Sequence, residues 1–235
     1  MSKDNQEWPE TDSIESLTDS QTEAAFEEDL KKADAQLAEM SQNTDPIERA
    51  KLTLAKATAL LGLNRKDQLW QDIRPLLDLF IEHHHLDEAV QTCDILYQSG
   101  NSESTTALVH GIWLSVSFPV DPHLTVSMLN HFVDETPKDS DGAALAATTA
   151  HYIVGIRAKD DDFENLNFFT ANLLSQVASG HRPINNQEEL DVWLEKLELK
   201  NPDVFLPRLG AVLNVLVNER DWWFDRDDLR ARFPQ

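Results

Sequence analysis

The chain has 235 residues, 41% of them apolar, with 42 acidic against 20 basic side chains and a formal net charge of -22. That acidic excess argues against direct contact with nucleic acid, where Lys and Arg must displace condensed counterions, and against anionic membrane surfaces. Seven glycines and a single cysteine, Cys93, favour a helix-rich chain without an internal disulfide, as expected of a cytoplasmic protein.

Residues 1–20 are polar and acidic and have almost no apolar periodicity, so they are expected to form a disordered tail. Trp8 stands alone there, either as a docking anchor or packed back on the body. Ser20–Gln21–Thr22–Glu23 has the spacing of a capping box, and Phe26, Leu30, Ala33, Leu37 and Met40 continue it as an apolar stripe. Asp45–Pro46 starts a second helix, Ile47 to Leu61, with Gly62 as its C-cap. Pro75 is expected to kink or split a helix over Asp67 to His84.

The stretch Ile73 to Gly100 reads as a helical hairpin with its turn at His84–His85. Apolar residues recur at Ile73, Leu76, Leu77, Phe80 and Ile81, then at Leu86, Ala89, Val90, Cys93, Leu96 and Tyr97. Further helices follow over Ser104–Phe118, over Asp121 to about Glu135, and over the Ala-rich Asp141–Ala158. Phe163–Ala178 is expected to close at Gly180, with Asp160–Asp161–Asp162 at its positive end. Asn186 caps Gln187–Leu199. Asn201–Pro202 is expected to make a short turn and Pro207 to open an apolar helix to about Arg220. Ten or eleven helices result. Hairpins begin near residues 67, 102 and 139, a spacing typical of helical repeats.

The fold expectation is therefore all-α: antiparallel helical hairpins stacked over residues 21–220, with an aromatic tail or cap over 221–235. The hairpin at 73–101 resembles a tetratricopeptide-type unit. Leu76 and Phe80 match the large residues of that family's first helix, and Ala89 matches the small residue at the helix crossing. Leu77 stands where the family has Gly, Cys93 where it has an aromatic and Asn101 where it has Pro. The resemblance implies an irregular α-solenoid whose concave face holds a peptide or protein partner, and it implies no chemistry.

Three sets of residues invite a functional reading. The run His83–His84–His85 points its side chains about 100° apart. The Glu82-x-x-His85 spacing lacks the second such motif that di-iron helix bundles need. His110, His131 and His151 fall amid apolar residues on three successive helices. They are either separately satisfied core histidines or a convergent metal site in a metal-dependent enzyme or carrier. In the tail, Trp222, Trp223 and Phe224 with Arg226 either cap the open end of the stack or, with Trp8, bind a partner.

No nucleophile elbow, phosphate loop or dinucleotide fingerprint is present, and no cofactor is expected. The functional expectation is a non-enzymatic adaptor, assembly factor or dedicated chaperone that holds another protein with a basic surface. An acidic DNA mimic is the further alternative. The partner's identity and the oligomeric state stay open.

Overall fold

The computed structural model describes residues 12–41, 43–67, 69–218 and 221–233. Trp8 and most of the expected tail lie outside them. Eleven helices and no strand occur among the described residues. They fall into two compact units that divide after Leu69.

The first unit is a helical hairpin of α1 (Asp12–Glu39) and α2 (Pro46–Gly62). Helix α1 starts at Asp12, so Ser20 lies within it and does not cap it. Asp45 does cap α2, accepting the Ile47 N–H at 3.0 Å, with Pro46 in the first turn where no N–H is needed. The cross-helix contacts run in antiparallel order: Arg49 to the Ser41 carbonyl near the turn, Lys56 to Asp34 at 2.7 Å, then Arg65 to Glu27 at the far end. Gly62 lies against the Phe26 ring with no room for a Cβ between them. The left-handed residue after α2 is Asn64, with φ 55°. Gly62 is helical and serves close packing.

The second unit contains all but the first residue of α3 (Leu69–Glu82), then α4 (Leu86–Gln98), α5 (Ser104–Ser117), α6 (Pro122–Glu135), α7 (Asp141–Arg157), α8 (Asp160–His181), α9 (Gln187–Lys196), α10 (Pro202–Val217) and α11 (Arg226–Arg232). The turn between α3 and α4 is made by His84 in the left-handed region, with φ 66°. Pro75 does not split α3. It faces solvent, so the carbonyl that loses its helical donor can be hydrated.

Two helices are buried all round. Every residue from Ala107 to Ser115 of α5 is buried, and every residue from Ala143 to Ala150 of α7, the pattern of helices surrounded on all sides. Helix α5 packs on α4 and α6, α7 packs on α6 and α8, and α10 lies against both α5 and α7. Within this unit α4 to α8 stack in chain order, as in a solenoid, and α10 folds back on α5 and α7.

Small residues set the closest approach. A Cβ on Gly111 of α5 would fall 2.9 Å from the Cys93 Cβ of α4 and would strike the Met128 side chain of α6. Cys93 is itself fully buried, and burial pushes its thiol pKa up. It acts as a small apolar residue at a tight crossing.

Helix α10 corrects the sequence reading. Asn201 caps it, accepting the Asp203 N–H at 3.0 Å, and the helix runs through the exposed Pro207. It ends at Val217 because Asn218 turns left-handed, with φ 58°. Helix α8 likewise continues through Gly180 to His181, and α11 forms inside the expected tail.

Candidate functional site: the aromatic C-terminal segment

After α10 the chain crosses to α5 and α3, and its aromatic residues are packed against them. At the centre is His110 of α5, which is fully buried. Its Nδ1 lies 2.6 Å from the Thr106 carbonyl one turn back, and its Nε2 lies 2.9 Å from the backbone nitrogen of Trp223. A carbonyl only accepts and an amide N–H only donates. The ring is therefore neutral, with its proton on Nδ1. Burial, more than any neighbouring charge, lowers its pKa to about 4.

Rings enclose this imidazole. Trp223 stacks on it with centroids 4.3 Å apart, Trp222 lies at 4.7 Å, and Phe224 meets it edge-on at 5.1 Å. Trp113, one turn along α5, packs against both Trp222 and Phe224. Trp70 of α3 meets Trp223 edge-on. Phe233 reaches Phe118 and His84.

Arginines cover three of the indoles. Arg74 lies 4.3 Å from the Trp223 ring centre, Arg226 lies 4.2 Å from Trp222, and Arg230 lies 5.1 Å from Trp113. Each such pair contributes on the order of 1 kcal/mol when partly desolvated. The residues singled out in the tail thus come together, and they come together on their own chain.

The three histidines do not converge. His131 packs on Tyr97, and its Nε2 lies 3.1 Å from Asp94, at ion-pair distance but without hydrogen-bond alignment. The Thr170 hydroxyl donates to the Leu166 carbonyl at 2.8 Å, so at 3.1 Å it accepts from Nδ1 of His151, whose pKa burial lowers. Among the described residues no three His, Cys, Asp or Glu side chains group as metal ligands would. The convergent metal site is therefore not formed, because successive helices set the three rings at different depths and against different neighbours. Of the other run, His84 is at a turn and His85 lies 3.6 Å from Glu88.

Sequence reasoning missed Arg74, Trp113 and Arg157. Arg157 ends α7, and its half-buried guanidinium donates to the Ser115 carbonyl at 2.6 Å and the Val116 carbonyl at 3.0 Å. It thereby fills the unpaired C-terminal carbonyls of α5. A basic residue in a last turn is the only signal the sequence offered, and it names no partner.

A second feature lies on α8. Its buried face is formed by Leu166, Thr170, Leu173, Leu174 and Val177. Phe168 and Phe169 fall outside that stripe and are 72% and 45% exposed. Phe163 is also exposed, between the exposed carboxylates Asp162 and Glu164.

Comparison of the chain with protein-family models, with curated proteins and with solved structures gives no match. No helix among the described residues is long and apolar enough to cross a membrane.

Proposed function

We propose that the protein is a non-enzymatic scaffold that holds another protein on its helical stack. The observation that carries this reading is the solvent-facing Phe168–Phe169 pair on α8. Large exposed aromatics cost solubility and mark interaction surfaces more often than they serve packing. Their surroundings suggest the partner's chemistry. Glu164 lies one helical turn before Phe168, and the chain's net charge is -22, so a segment with apolar anchors and a basic rim is complementary. Long-range attraction would raise its rate of encounter.

The architecture is read as an irregular tetratricopeptide-like solenoid. Ala89, the small residue of the resemblance, is fully buried in α4, as a helix crossing requires. In this reading the Trp222–Phe224 segment serves as an internal cap over faces of α3 and α5 that would otherwise be open to solvent.

The test uses the full chain as bait in native extract, beside a Phe168→Ser/Phe169→Ser variant. Phe168 is 72% exposed and Phe169 45%, so the variant is expected to keep its fold, which its helical circular dichroism signal checks. A stoichiometric protein recovered by the wild type, lost by the variant and released by added salt is the expected result. Recovery that ignores both the substitutions and the salt refutes the assignment.

A further inference from the structure

A cleft of about 600 Å³ opens beside the aromatic segment, between α5, α10 and α11. Trp113 and Val116 form one wall, Leu206 and Gly210 the other, and Arg226 and Arg230 lie along its edge. The volume is in the range of small-molecule sites, and the combination of apolar walls with a few placed polar groups is the usual composition of such sites.

The counterions decide what it would hold. Acidic residues outnumber basic ones about two to one in this chain, yet Arg226 pairs with no carboxylate among the described residues. Its guanidinium donates to the Asn214 side-chain oxygen at 2.5 Å and lies over Trp222, so it is fixed in place. The acids next to it in sequence have other partners. Asp225 accepts the N–H groups of Asp227 and Asp228 at the start of α11, Asp227 lies 3.4 Å from Arg230, and Asp228 pairs with Arg232. A half-buried, immobilised guanidinium at the rim of an apolar cleft is arranged to take an anion from outside.

We propose that this cleft binds a small apolar molecule carrying one carboxylate, its chain between α5 and α10 and its charge on Arg226. Arg230, held by Asp227 and half exposed, adds a weaker attraction. The site is independent of the protein-binding surface on α8.

The probe is decanoate, titrated into the full chain by calorimetry, with the change in Trp fluorescence as a second signal because Trp113 lines the cleft. Decanol is the uncharged control. The expected result is saturable binding at one site per chain, with decanol and the Arg226→Gln variant each weaker by roughly tenfold or more. A fold-safe variant completes the test. A Cβ added at Gly210 meets nothing within 4 Å outside its own helix backbone, and leucine favours helix over glycine, so Gly210→Leu is expected to fill the cleft and leave α10 intact. Its unfolding midpoint should hold while decanoate binding disappears. No saturable decanoate binding, equal binding of decanol, or intact binding by Gly210→Leu would each overturn the proposal. So would a peptide with an apolar C-terminus that binds at these residues when decanoate does not.

Discussion

Replacing His110 by Ala tests whether the C-terminal segment is held as described. The substitution removes a fully buried ring that touches Trp222, Trp223 and Phe224. It also leaves the Trp223 N–H without its acceptor. Truncating a buried aromatic costs about 3–5 kcal/mol, and a stranded buried donor costs about 1–3 kcal/mol. Partial relaxation of the segment offsets some of this, so about 4 kcal/mol is expected at pH 7. Equilibrium denaturation followed by Trp fluorescence reads it directly.

The same pair of proteins carries a pH signature. The ring's pKa is about 4 when folded against an ordinary value of 6.5. Above pH 6.5 the ring is neutral in both states and its contribution is complete. As pH falls from 6.5 to 4 the unfolded chain takes up a proton that the folded one refuses, and stability is lost at up to about 1.4 kcal/mol per pH unit. The gap between wild type and His110→Ala should therefore narrow by about 3 kcal/mol between pH 7 and pH 4. A gap below about 1 kcal/mol at pH 7, or one that stays constant with pH, would show that His110 does not hold the segment.

Two glycines in helices should respond with opposite signs. Gly155→Ala meets no atom within 4 Å and should stabilise by about 0.5–1 kcal/mol, whereas a Cβ on Gly180 falls 2.8 Å from the Lys138 carbonyl oxygen and should destabilise. Thermal unfolding midpoints that move in the same direction for both would contradict the packing. Arg157→Lys keeps the charge but loses the fork that spans the Ser115 and Val116 carbonyls. It should lower stability by about 1–3 kcal/mol in denaturant titrations, and a neutral effect would remove the α5-capping role.

What the sequence by itself determined is the local structure. Asp45, Asp121 and Asn186 each accept a backbone N–H at the helix start where their positions place them, because capping acts within three residues. Apolar spacing located the helices for the same reason, since i to i+4 contacts are written in the chain. Pro75 does not split its helix and Pro207 does not open one, because the cost of a proline depends on exposure, which spacing does not record. The tertiary structure alone decided the partners. His110 and Trp223 are 113 positions apart, and no pattern within a helix carries the depth or rotation at which two helices meet. Periodicity placed His110, His131 and His151 on apolar faces, but whether they share a site is set by packing angles between helices. Those angles sent one to the aromatic segment, one to Asp94 and one to Thr170. The tail's aromatics were visible in the sequence, but their place against α3 and α5 follows only from the apolar surface those helices leave uncovered.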